Sequence, residues 1–290
     1  MSRRERILTR LRSTPALPTP AIRVVQLIQD PQVDMRELTE AVRYDPSLTA
    51  TVLRLANSPY FGTARSIDTV QEAVMRLGTN RLFRVLMASA VAPLAPLAVK
   101  GYDLEPGGLL EHAVAVAVAA ERLAVSVGRR PPNYTFTAAL LHDIGKIAMG
   151  SYVQIDAKPI LDLAFRQNLP FEAAEREVLG IDHAEAGAVL LESWNLPPRL
   201  VEAVRCHHEP DKAEPDTLAV DLVHAADSLC LLAGIGSGVD GTHYRPAAAV
   251  LSRLRLGTKL GEMVVCEVAT SLKDLTDLLT VGIGDELKCH

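Results

Sequence analysis

Aromatic side chains make up only 4% of the 290 residues. Sheets draw on aromatic and β-branched residues, so this scarcity beside abundant alanine and leucine predicts an all-α fold. Cysteine is equally sparse. Cys206, Cys230, Cys266 and Cys289 include no C-x-x-C pair and their spacings build no disulfide framework, which fits a reducing cytoplasm. No long hydrophobic run is present either. The most apolar stretch, Val85 to Val99, is interrupted by Pro93 and Pro96 and falls short of the roughly 20 residues that cross a bilayer. Met1 to Ser13 carries the charge of a signal peptide's start without the apolar segment that must follow. Neither export nor a membrane span is expected. A Gly-rich phosphate loop, a G-x-S-x-G elbow and a dinucleotide fingerprint are also missing, which sets aside the enzyme classes built on them.

What is there belongs to an ordinary globular protein. Apolar residues make up 48% and charged residues 22%, enough for one large domain or two modest ones. The net charge of −5 offers no general attraction to DNA or acidic lipid. Its distribution is uneven, however. Residues 1–100 hold 14 basic and 8 acidic side chains, a net +6, which leaves −11 for the remainder. Pro93, Pro96, Pro106 and Gly107-Gly108 punctuate the chain at the same place. Two helical domains are therefore expected, residues 1–100 and residues 101–290, the first forming a multi-helix layer against the second.

In the first half, helices are predicted over Arg3 to Leu11, Ala21 to Gln29, Met35 to Arg43 and Leu48 to Ala56. Asp34 through Glu37 and Thr69 through Glu72 have capping-box spacing. Thr69 to Met87, with Gly78 between two amphipathic runs, has the outline of a helix-turn-helix. Arg76, Arg81 and Arg84 are too few to make a basic stripe, so plain helix packing is the better reading and DNA is not an expected partner. In the second half, Leu109 to Val127 is almost all Ala, Val and Leu, the pattern of a helix buried on most sides. Further helices are predicted over Thr135 to Leu141, Phe171 to Leu179, His183 to Trp194, Pro198 to Cys206, Leu218 to Leu232 and Ala247 to Leu254, with a last one after Ser271.

Histidine carries the chemical information. His112, His142, His183, His207, His208 and His224 fall between positions 112 and 224, several of them on otherwise apolar helices. Burying so many imidazoles without partners would be costly. Neutral imidazoles joined by a carboxylate are what a borderline transition metal prefers, and several helices can converge them on one pocket. Cys206, beside His207, has no second cysteine spaced to join it and reads as a small core residue.

The order His112, His142-Asp143, His183, His207-His208, Asp227 resembles the HD superfamily of metal-dependent phosphohydrolases. The resemblance to the HDOD family, the HD-related output domain, is closer. It rests on Leu17-Pro18, Asp45-Pro46-Ser47-Leu48-Thr49, Leu53-Arg54-Leu55-Ala56-Asn57-Ser58, Glu72-Ala73 through Leu77-Gly78, Leu140 through Lys146, Gly180 through Glu185 and Trp194-Asn195-Leu196-Pro197. The resemblance covers roughly residues 15 to 232.

The resemblance implies one or two divalent transition-metal ions, Fe, Mn, Zn or Ni. Asp143 would bridge them, with His142 and Asp227 on the first, His183, His207 and His208 on the second, and His112 as a further ligand. A bridged pair can activate a water and hold a phosphate oxygen. Asp143 and Lys146, three residues apart on one helical face, would then be the catalytic residues, the lysine steadying a phosphoryl oxygen. His224, sharing a face with Asp227, is expected to support a ligand or the core. Two departures matter. Nothing between Asp143 and His183 matches the Gly-Tyr-Pro element of the branch that hydrolyses cyclic di-GMP. Gly108 stands where some of those enzymes carry an extra acidic ligand, so a third metal is not expected. Such relatives are generally placed in bacterial signal transduction, and no sensory module is read within these residues. The expected function is an output module that binds a regulatory protein partner or a nucleotide ligand. The alternative is a phosphodiesterase acting on a nucleotide or cyclic dinucleotide.

Overall fold

The structure, a computed structural model, describes residues 2–13, 35–43, 46–57, 67–78, 82, 98–214, 217–244 and 246–280. Among these, every regular element is helical, and the one β-type pairing is an isolated antiparallel bridge between Val99 and Leu104. The all-α expectation holds. The chain divides into two compact units, one of Met1–Pro15 with Ala95–Leu272, the other of Ala16–Leu94 with Lys273–His290. Ala21 to Gln29 and the Asp34 cap lie outside the described residues, as does most of the stretch from 79 to Met87.

The larger unit begins with α1 (Arg3–Arg12), opened by a complete capping box between Ser2 and Glu5. Its Ile7 and Leu11 are fully buried, and Arg4 reaches Glu185 at 2.5 Å. The smaller unit contains α2 (Met35–Arg43), α3 (Pro46–Ala56) and a helical stretch over 70–78. Thr49 donates to the carbonyl of Val42 across the α2–α3 turn. The Asn57 amide clamps residue 67, accepting from its N–H and donating to its carbonyl, both at 2.8 Å. Thr69 caps the next helix by accepting from the Glu72 N–H.

The centre of the larger unit is α4 (Gly108–Ser126). Ala113 to Ala120 are all buried, and the small side chains let α5 (Thr135–Leu141) and α10 (Leu218–Leu232) pack closely against it. Between α4 and α10 in the sequence lie α6 (Gly145–Gln167), α7 (Phe171–Leu179), α8 (His183–Ser193) and α9 (Pro198–Arg205). After them come α11 (Ala248–Leu254) and α12 (Thr258–Thr280).

Two elements differ from the sequence expectation. α6 has no predicted counterpart, because Pro159 lies inside it and argues against a helix. The helix runs on across a kink at Asp156, which carries non-helical angles. α12 begins at Thr258 rather than after Ser271, its start hidden by Gly257 and Gly261.

One glycine decides how α6 and α8 meet. A Cβ at Gly145 would lie 2.0 Å from the His183 carbonyl oxygen and 2.6 Å from the Gly187 nitrogen. Only the missing side chain lets the start of α6 touch the first turn of α8, which brings His142-Asp143 beside His183.

Candidate metal centre

His142 and Asp143 occupy the break between α5 and α6. His112 projects from the first turns of α4, His183 opens α8, His207 and His208 follow α9, and Asp227 lies on α10. These elements bring all seven side chains together. Six of them, His112, His142, Asp143, His183, His207 and Asp227, are at most 3% exposed, while His208 is partly open.

Most of the rings are aimed by what holds the opposite nitrogen. The Nδ1 of His112 meets the Ile235 carbonyl at 2.9 Å, that of His142 the Ala139 carbonyl at 2.6 Å, and that of His207 the Val204 carbonyl at 2.7 Å. A carbonyl only accepts, so each Nδ1 carries the proton and Nε2 is turned inward. His183 is held in the same way by Glu175 Oε2 at 2.7 Å, and His208 Nδ1 lies 3.2 Å from the Tyr244 hydroxyl. Gly236, at φ +60°, lets the Ile235 turn pass close to His112, since a Cβ there would come within 2.6 Å of that ring's Cβ.

The inward atoms fall into two groups around Asp143. On one side, His112 Nε2 lies 3.0 Å from Asp227 Oδ1, and His142 Nε2 lies 3.3 Å from Asp143 Oδ2 and 3.7 Å from Asp227 Oδ1. On the other, His183 Nε2 and His207 Nε2 stand 3.4 and 3.9 Å from Asp143 Oδ1, and His208 Nε2 is 2.7 Å from His183 Nε2. Within each of the triads His112–His142–Asp227 and His183–His207–His208, potential ligand atoms lie within 4.8 Å of one another.

Three buried atoms at the middle have no hydrogen-bond partner: His142 Nε2, His207 Nε2 and Asp143 Oδ1. Polar atoms so placed cost free energy unless something completes them. A divalent cation on each side of Asp143 would do so with imidazole and carboxylate ligands. The residues therefore fit the group that the resemblance implies.

The electrostatics point the same way. Burial pushes Asp143 and Asp227 towards the neutral form, but the surrounding imidazoles, with Lys146 beside Asp143, outweigh it and hold both carboxyls well below the usual range. Burial also opposes charge on His142 and His183. Asp143 and Asp227 nevertheless raise His142 to about 10, and Glu175 above all raises His183 to about 9. Burial and neighbouring imidazoles lower His207 to about 3 and keep His208 neutral. In this arrangement the His142 imidazolium faces Asp143 and Asp227, the His183 imidazolium faces Glu175 above all, and the Lys146 ammonium faces Asp143.

Lys146 is buried, its Nζ 2.5 Å from Asp143 Oδ2 and 2.5 Å from Asp240 Oδ2. His224 turns away from the centre. Its Nδ1 meets the His207 carbonyl at 2.7 Å and its Nε2 accepts from the Ala247 N–H, so it props up the turn that carries His207. Cys206 is buried, its thiol 3.5 Å from Glu202 and outside both triads.

Four supporting residues escaped the sequence reading: Tyr102, Glu175, Asp240 and Tyr244. Tyr102 donates a short hydrogen bond to Glu175, which also accepts from the His183 backbone N–H. An acidic residue eight positions before His183, one turn back on α7, is the only trace that Glu175 leaves in the sequence. Glu175→Gln is expected to weaken metal binding at the His183 side by roughly 10–100-fold, the usual cost of losing a carboxylate that orients a ligand. Calorimetric titration of metal into the variant measures this.

The profile of the HDOD domain matches residues 14–210. The chain belongs to the HDOD domain family. Solved structures agree. An HDOD domain protein of unknown function from Geobacter sulfurreducens superposes with a TM-score of 0.71 at 25% identity, over 95% of this chain and 98% of that one. A Shewanella amazonensis SB2B protein with a provisional phosphohydrolase assignment gives 0.66 at 26% identity, over 95% and 96%. Among curated proteins, an uncharacterized protein of Treponema pallidum (strain Nichols) is 25% identical over 72% of this HDOD chain, which spans 41% of that protein. Ribonuclease Y of Thermus thermophilus is 33% identical over 121 residues, 42% of this chain and 16% of the ribonuclease. The HDOD chain thus spans less than half the length of these curated relatives. Among its described residues no helix is long and apolar enough to cross a membrane.

Proposed function

We propose that this HDOD protein is a signal-transduction output module. On this reading it binds a regulatory protein partner or a nucleotide ligand, and its HD-type centre holds one or two divalent transition-metal ions as a fixed core. His112, His142 and Asp227 would hold one ion, His183, His207 and His208 the other, with Asp143 between them. The observation that carries the reading is closure. Six of the seven ligand residues are at most 3% exposed, and the side chain best placed to meet a phosphate, Lys146, is already bound by two carboxylates. A phosphoester needs open space beside the metal, whereas a structural or regulatory ion does not.

A phosphohydrolase reading stands beside it, favoured by one observation: four imidazoles, those of His112, His142, His183 and His207, lie within 3.9 Å of one or other oxygen of Asp143. Bound metal would supply Lewis acidity there. Asp143 and Lys146 would be the catalytic pair, the lysine moving from Asp240 to a phosphoryl oxygen. The provisional phosphohydrolase assignment of the Shewanella relative and the partial similarity to ribonuclease Y support a phosphoester substrate, with nucleotides and cyclic dinucleotides as the classes to try.

One experiment separates the two. The purified protein is assayed for bound iron, manganese, zinc and nickel, then given a panel of nucleotides and cyclic dinucleotides beside Asp143→Ala. Bound metal with no turnover is the expected result. Turnover that disappears in the variant reverses the ranking, and protein that takes up no metal defeats both readings.

A further inference from the structure

Lys146 is held more fully than either reading requires. Its ammonium group is buried, 2.5 Å from one oxygen each of Asp143 and Asp240, and 5.5 Å from the centre of the Tyr102 ring. An ammonium has three N–H directions, and two carboxylates with one aromatic face account for all of them. Asp240 comes from the turn Val239–His243, far from Asp143 in sequence, and is 7% exposed. A second buried carboxylate facing Asp143 is costly unless a cation lies between them. The other oxygen of Asp240 is also buried and has no hydrogen-bond partner. The Lys146 ammonium reaches only Oδ2 of Asp240 and leaves Oδ1 unpaired, whereas a metal ion with water ligands could engage both oxygens.

We propose that Asp143 and Asp240 frame a third cation position beside the two histidine-lined ones, and that this chain fills it with its own Lys146 ammonium. The inference rests on the metal-centre reading only in sharing Asp143 as a ligand. The position differs in chemistry from its neighbours. It offers carboxylate oxygens alone, which suits a hard cation such as Mg²⁺ or Mn²⁺, whereas the imidazole-lined positions suit Zn²⁺ or Fe. Lys146 contributes one fixed positive charge and no open coordination site. It neutralises the two acids while barring a third metal, and its donors are used up before any phosphate arrives.

The test is to remove the ammonium and count metal. The full chain is loaded with Zn²⁺, freed of excess, and titrated with Mn²⁺ under electron paramagnetic resonance. Wild type is expected to bind no Mn²⁺ tightly, Lys146→Ala one equivalent, and Lys146→Ala with Asp240→Asn none. Lys146→Gln, whose amide still hydrogen-bonds a carboxylate, guards against a folding failure and is expected to bind the same equivalent more weakly. The melting temperature of Lys146→Ala should fall without Mn²⁺ and recover with it. The inference is overturned if neither single variant gains an equivalent, if the gain survives Asp240→Asn, or if both variants stay unfolded even with Mn²⁺. Wild type that retains no Zn²⁺ speaks against the metal-centre reading instead, and the Mn²⁺ count in Lys146→Ala still decides this one.

Discussion

Asp143→Ala is expected to abolish metal binding on both sides of the centre at once. Its Oδ1 faces His183 and His207, and its Oδ2 faces His142, so each candidate ion loses a shared ligand. The affinity loss should exceed the roughly 10–100-fold typical of a residue that only orients a ligand. Metal analysis after gel filtration reads it directly. Retention of one full equivalent would assign Asp143 to a single position and refute the bridge. The metal-free fold should suffer too. Lys146, His142 and His183 are buried cations beside this carboxylate, and stranding a buried charge costs about 3–5 kcal/mol. Urea unfolding of the chelated protein measures that cost. Asp143→Asn, which keeps the volume and one acceptor, should lose the metal equally and less of the stability.

The histidines that meet at the candidate centre were legible in the sequence because histidine on an apolar helix is conspicuous. His112 among alanines and valines, or His142 after Ala-Ala-Leu-Leu, pays for burial only if something binds it. The helices that carry them were legible for the related reason that their starts and stops are written locally, as in Phe171–Leu179 between Pro170 and Gly180. What escaped has no local mark. Asp240 and Tyr244 lie in a glycine-rich turn after α10, where an acid or a tyrosine reads as ordinary loop polarity, and only the fold carries them to Lys146 and His208. Lys146 itself could be read from sequence as a solvated lysine, because position on a helix face does not reveal which face is covered. Its burial follows from Gly145 letting α6 press on α8, a contact between segments nearly 40 residues apart.

Charge explains how the centre can fold before metal arrives. Two buried carboxylates, Asp143 and Asp227, meet two protonated imidazoles, His142 and His183, while His207 and His208 stay neutral. Each triad therefore contains one proton to be exchanged for a cation. The exchange makes occupancy a function of pH.

Metal affinity is accordingly expected to rise with pH by about tenfold per unit at each position across the neutral range. Ligation needs neutral imidazole, so a cation entering beside His142, raised to about 10, or beside His183, raised to about 9, expels one proton there. From pH 6 to pH 8 that amounts to about 100-fold per ion. Metal-free stability moves the other way on account of these two groups. Their folded pKa values lie above the unfolded value of about 6.5, so the support they give is complete below that pH and is lost as pH climbs through about 9 to 10. His207, lowered to about 3, contributes in the opposite sense, losing stability as pH falls from about 6.5 towards 3. Over pH 6 to 8, then, the gain in melting temperature on adding a fixed excess of metal should increase steadily. Competition against a chromophoric chelator, repeated in buffers of different ionisation enthalpy, gives both the slope and the proton count. A flat profile with no proton release would mean that His142 and His183 are already neutral, and would remove the imidazolium account of the metal-free protein.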